Sequence, residues 1–188
     1  MTTDPDADAW AAALTLYEKR CAVVVVGPRR HEDWELDVAA LLRRKTRDPR
    51  GWKAREFYEE EDDEWSPGRI APLVPPGPSE WRARLRKIQP SGAERLLVAI
   101  STNWLDVTRE PGFEADRPAL EKKARILLAR FPAAEAEFFT NAWYGVGDAT
   151  DFYSPLKGCD PFSEHDWDVG LLAVSGTEVG VFWSFDAT

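Results

Sequence analysis

The sequence predicts an α+β domain of four or five helices packed on a small mixed sheet that ends in a C-terminal β-hairpin. Three stretches carry that expectation. In "CAVVVVG" (21–27) four successive valines lie between turn signals, as in a strand buried on both faces. In "RPALEKKARILLARF" (117–131) Leu120, Ala124, Leu127 and Leu128 share one helical face and lysines and arginines the other. A proline stands at its start and Pro132 at its end. In "DVGLLAVSGTEVGVFWSF" two strand-like runs flank "SGTE". A two-residue Gly176-Thr177 turn with glycine first predicts type II′. That register sets Val174 opposite Val179, Leu172 opposite Val181 and Gly170 opposite Trp183, a glycine facing a large indole.

The remaining elements follow in order. "DADAWAAALTLYEKR" (6–20) has Asp before an alanine-rich run, with Trp10, Leu14 and Tyr17 at helical spacing and bases at its end. "HEDWELDVAALLRRKT" (31–46) places Trp34, Val38 and Leu41 on one stripe, acids first and bases last, and predicts a second helix. Residues 48–78 are irregular, with an acidic run and the proline-rich "PLVPPGPS". "SEWRARLRKI" (79–88) fits a strand by alternation and a helix by the common face of Trp81, Leu85 and Ile88, and both readings stay open. "SGAERLLVAISTNWL" (91–105) opens with a Ser91–Glu94 capping-box pattern, and its apolar run also fits strand or helix. "AAEAEFFTNAWYG" (133–145) reads as a helix with Phe138, Phe139, Ala142 and Trp143 on its apolar side. Residues 145–164 read as a loop rich in Gly, Pro and Asp.

Composition narrows the function classes. The chain has 188 residues, suited to one domain, 1–188. Two cysteines make neither a disulfide framework nor a zinc site. No secretory signal opens the sequence and no apolar run is long enough for a bilayer span, so a cytoplasmic protein with reduced thiols is expected. Net charge is -9, and from Phe131 onward ten carboxylates face a single base, Lys157. Such a field repels nucleic acid and attracts basic partners. Nine tryptophans serve either core packing or binding hot spots.

Few residues suggest chemistry. The only histidines, in "HEDW" (31–34) and "EHDW" (164–167), lie among carboxylates beside tryptophan. On a helix from residue 29, His31 and Glu35 would share a face, an arrangement able to exchange protons or hold part of a metal site. In an extended approach, His165 would share a face with Trp167, Val169, Leu171 and Ala173. One stretch is then helical and the other extended, so the two are not repeats. An enzyme using His31 or His165 with nearby carboxylates is the rival reading. Asp148, Asp151, Asp160, Glu164, Asp166 and Asp168 precede the hairpin without the spacing of a calcium loop. No nucleophile elbow or phosphate loop occurs. No metal, cofactor or catalytic residue is expected.

The remaining feature is an acidic, aromatic surface. Glu59, Glu60, Glu61, Asp62, Asp63 and Glu64 form a run flanked by Tyr58 and Trp65. Charge would steer a basic protein toward it and the rings would anchor it. Asp148, Asp151 and Asp166 extend the candidate binding set. With its acidic, tryptophan-rich chain, its lack of catalytic motifs and its closing "EVGVFWSFDAT", the sequence resembles an immunity protein of a bacterial polymorphic-toxin system. The resemblance implies a cytosolic protein that neutralises one cognate toxin by binding it, with no catalytic residues.

Overall fold

The computed structural model describes residues 6–56, 78–145, 151–163 and 165–186. At the N-terminus Asp6 caps α1 (Ala7–Leu14), its carboxylate accepting from Ala9 N at 2.7 Å. A 3₁₀ turn, Thr15–Tyr17, continues it and leads into β1 (Cys21–Pro28). Helix α2 (Trp34–Leu42) follows. Then come α3 (Pro78–Arg84), β2 (Arg86–Ile88) and α4 (Pro90–Ala99). Two 3₁₀ turns, Asn103–Leu105 and Val107–Arg109, link α4 to α5 (Phe113–Leu128). Five strands complete the order: β3 (Glu137–Thr140), β4 (Ala142–Tyr144), β5 (Leu156–Cys159), β6 (Trp167–Val174) and β7 (Glu178–Asp186).

The main sheet has the order β1-β7-β6-β3-β2, and β4 and β5 form a separate pair. Every pairing is antiparallel, so the sheet is not mixed. Both faces are covered. Ala22, Val24, Val26, Val169, Leu171, Ala173 and Phe182 join the core built by Trp10, Leu14, Leu96, Leu97 and Leu127 of α1, α4 and α5. The opposite face, with Val23, Leu172, Val181, Trp183 and Phe185, packs against Trp34, Val38 and Leu41 of α2 and Trp81 of α3. A sheet apolar on both faces explains the unbroken runs "CAVVVVG" and "VGLLAV".

The hairpin has the expected pairs: Val174 with Val179, Leu172 with Val181 and Gly170 with Trp183. A Cβ at Gly170 would fall 2.0 Å from Trp183 Cε3, so only glycine admits the indole. The turn is not type II′, because Gly176 has no positive φ. Instead, Arg29 Nη1 takes the Ser175 carbonyl at 2.9 Å. The Ser175 hydroxyl then accepts from Glu178 N at 3.0 Å and closes the turn.

Several other expectations give way. The stretch 133–145 is not a helix but carries β3 and β4. Phe138 enters the core on one face of the sheet and Phe139 packs on the other, so adjacent aromatics mark a doubly covered strand. Helix α2 begins at Trp34, leaving His31 outside it. The two open segments resolve as a helix followed by a strand over 78–88 and as α4 over 90–99. Pro90 opens α4 after Gln89, so the Ser91–Glu94 box is not its cap. Helix α5 starts at Phe113 after Gly112 and contains Pro118 within it. The loop 145–164 contributes β5.

Candidate functional site

Register places the starts of β1 and β6 and the end of β7 together: Cys21 pairs with Phe185, and Trp167 with Asp186. The loop after α4 is tied to this end, since Arg20 Nη1 donates to Asn103 Oδ1 at 3.2 Å. Two large rings are exposed there, Trp104 at 50% and Trp167 at 38%. Trp167 continues the alternation of Val169, Leu171 and Ala173, so it lies on the face that α4 and its following loop cover.

The loop holds Trp104 in a costly conformation. Trp104 has φ 59° and Leu105 φ 55°, the left-handed region that side chains other than glycine avoid at about 1–2 kcal/mol each. For Leu105 the interior explains it: the side chain is fully buried and its carbonyl accepts from Tyr144 Oη at 2.7 Å. No such burial explains Trp104. Its surroundings are pinned. Asn103 N and Nδ2 donate to Glu110 Oε2 at 3.1 Å, and buried Asp106 accepts from Thr108 N at 2.9 Å and Thr108 Oγ1 at 2.6 Å. The Arg109 guanidinium lies 5.6 Å from the Trp104 ring centroid. A rigid turn thus presents an indole to solvent.

The histidines are not brought together. Arg29 N donates to Thr177 O at 2.7 Å, so the chain enters the His31 segment at the hairpin-turn end of the sheet. His165 precedes β6 at the other end. Eight strand residues span about 23 Å. His31 does not meet Glu35, which bonds Arg82 instead. Its Nδ1 lies 2.6 Å from Asp37 Oδ1, and Asp37 Oδ2 accepts from Arg30 N and His31 N, both at 3.1 Å. Asp37 is buried, while His31 is half exposed. Among the described residues no hydroxyl or thiol is bonded to His31. His165 does not continue the Trp167 face: residues 165 and 166 form a bend, and the imidazole lies 5.4 Å from Phe185, on the opposite face.

Of the expected binding set, Tyr58, Glu59, Glu60, Glu61, Asp62, Asp63, Glu64, Trp65 and Asp148 lie outside the described residues. Glu56, the last described residue before the run, follows the Val24–Arg55 bridge and is paired with Arg44. Asp166 is exposed beside Trp167. Asp151 shapes its own turn, accepting from Ser154 Oγ at 3.0 Å and Tyr153 N at 3.2 Å, with Arg95 at 3.5 Å.

Two buried ionic centres escape sequence reasoning. Asp168, fully buried, accepts from Trp183 Nε1 at 2.9 Å, Phe162 N at 3.0 Å, Ser163 N at 2.8 Å and Ser163 Oγ at 2.6 Å. Arg130, whose side chain is fully buried, binds Asp48 at 2.6 Å and Glu178 at 2.5 Å. Burial opposes its charge, but these carboxylates outweigh burial and raise its pKa. Its guanidinium lies 5.0 Å from both the Trp10 and Trp52 rings. Each centre joins segments 15 to 82 residues apart, and no local motif signals them.

Among the described residues no group of three or more His, Cys, Asp or Glu side chains is placed to hold a metal ion, and no helix is long and apolar enough to cross a membrane. The fold and these sites define an α+β protein with a doubly covered antiparallel sheet and an exposed aromatic end. No protein-family model, curated protein or solved structure matches the chain.

Proposed function

We propose that this protein is a binding domain for a basic protein partner, and that the sheet end carrying Trp104 and Trp167 is its docking face. The observation that carries this reading is Trp104 itself. Half-burial and the Arg109 contact are the fold's return on holding this indole at positive φ on a pinned loop, whereas a binding anchor also gains pre-organisation. The net charge of -9 and the exposed Asp166 beside Trp167 favour a cationic partner. Within this class, the resemblance to polymorphic-toxin immunity proteins points to a cognate toxin, which the protein would neutralise in the cytoplasm by occluding a basic cleft. The test is co-purification with the product of the neighbouring gene. A complex that forms at low salt and weakens as salt rises is expected; no complex at low salt would remove the toxin reading.

A second reading has one observation behind it. The His31–Asp37 pair has the geometry of an oriented acid–base dyad, with a buried carboxylate fixing one ring nitrogen of a half-exposed imidazole. The bland role is also satisfied, since Asp37 anchors the chain entering α2 through two backbone N–H groups. His31→Ala separates them: an unchanged toxin-neutralising activity leaves Asp37 its anchoring role alone.

A further inference from the structure

The outer edge of β1 borders a cleft of about 440 Å³, within the range of small-molecule sites. Its origin lies in an interrupted ladder. Val24 exchanges both backbone bonds with Arg55, at 2.8 and 2.9 Å. Even-numbered residues of β1 therefore turn their N–H and C=O away from β7. Continued pairing would bring Lys53 opposite Val26. Instead the Lys53 carbonyl accepts from Trp10 Nε1 at 2.7 Å, and the chain 51–54 swings off the edge. The outward amide of Val26 is left bordering the cleft, which Leu41, Trp52 and Ala54 line with apolar surface.

The charges around the cleft do not cancel. Glu56 is paired with Arg44, and Asp48 with Arg130. Arg47 and Lys53 also line it; both are exposed, and among the described residues neither has a carboxylate partner. Among the described lining residues three cations, Arg44, Arg47 and Lys53, face two carboxylates, Asp48 and Glu56, so in a chain of net charge -9 one positive charge is in excess beside an outward backbone N–H. Apolar walls with a few convergent polar groups are the usual make-up of a small-ligand site.

We propose that this cleft binds a small organic anion, a carboxylate on an apolar body of about two fused rings. The carboxylate sits at the Val26 N–H between Arg47 and Lys53, and the body lies against Leu41, Trp52 and Ala54. This site is independent of the docking face.

Calorimetric titration of the full chain with 2-naphthoate, 2-naphthol and 2-naphthylmethylammonium tests it. The expected order is naphthoate first, with Kd below about 1 mM, then naphthol, with the ammonium weakest. Arg47→Ala with Lys53→Ala weakens naphthoate about three- to tenfold, as for two exposed charge contacts. Ala54→Phe fills the cleft and abolishes binding with both cations intact. Trp104→Ala leaves naphthoate binding unchanged, so failure here and failure of the docking face are distinguishable. No naphthoate binding, equal affinity for the ammonium, or binding untouched by Ala54→Phe in a folded protein would each overturn the proposal.

Discussion

At the scale of single residues, the structure turns on side chains whose neighbours leave no alternative. Gly170→Ala would force a methyl into the Trp183 ring, and both strands of the hairpin must shift. A loss of about 3 kcal/mol or more is expected in urea denaturation. Asp168→Ala removes the carboxylate on which five donors now converge, among them the Trp183 indole N–H. Its cost should be about 3 kcal/mol or more by the same measurement. Trp104→Gly has two opposed effects. It relieves a left-handed φ worth about 1 kcal/mol, which offsets part of the lost half-buried indole and Arg109 contact, while weakening the partner complex. The thiols differ as well: burial, against a backbone hydrogen bond at Asp168 and with smaller help from the Asp168 and Asp160 charges, pushes Cys159 up to about 11, while Cys21 is exposed. At neutral pH a limiting alkylating reagent should label Cys21 and spare Cys159. Because the folded pKa is the higher one, the buried Cys159 thiol contributes stability that is complete below the unfolded value of about 8.5. That contribution falls as pH rises toward 11.

At the scale of elements, the hairpin shows what sequence pattern conveys and what it omits. Its register follows from period-2 spacing and from a glycine facing an indole, and the pairs Val174–Val179 and Gly170–Trp183 are legible directly. The turn chemistry was not, because it is set by Arg29, 146 residues away from Ser175. Since Gly176 has no positive φ and open space around its Cα, Gly176→Ala should cost less than about 0.5 kcal/mol. Ser175→Ala, which removes the closing hydroxyl, should cost about 1 kcal/mol. The β3 strand was misread for a related reason. Alternation identifies a strand only when one face is wet, and Phe138 and Phe139 both meet protein. Asn141 then ends the strand with side-chain bonds in place of the ladder, donating to Asp168 O at 2.8 Å and Asp160 O at 3.0 Å, and accepting from Gly170 N at 3.1 Å. Helix α5 was legible by its apolar face, although Pro118 stands inside it rather than at its start.

At the scale of the molecule, a sheet buried on both sides leaves only its ends and edges for function. Holding the layers together falls partly to Arg130, which joins Asp48 before the cleft to Glu178 at the hairpin turn. Arg130→Met leaves both carboxylates without their principal cation and should cost about 3–5 kcal/mol in thermal or chemical unfolding. Sequence reasoning had the charge and the tryptophan surplus but not their placement. Trp10, Trp81 and Trp183 are core, whereas Trp104 and Trp167 emerge at one sheet end only once the strands are paired. The most direct measurement is the affinity of the neighbouring gene's product for the wild-type protein and for Trp104→Ala with Trp167→Ala. A salt-sensitive complex is predicted that the double variant, still folded, weakens about a hundredfold or more, as for two central aromatic anchors. Equal affinity for both proteins would contradict it.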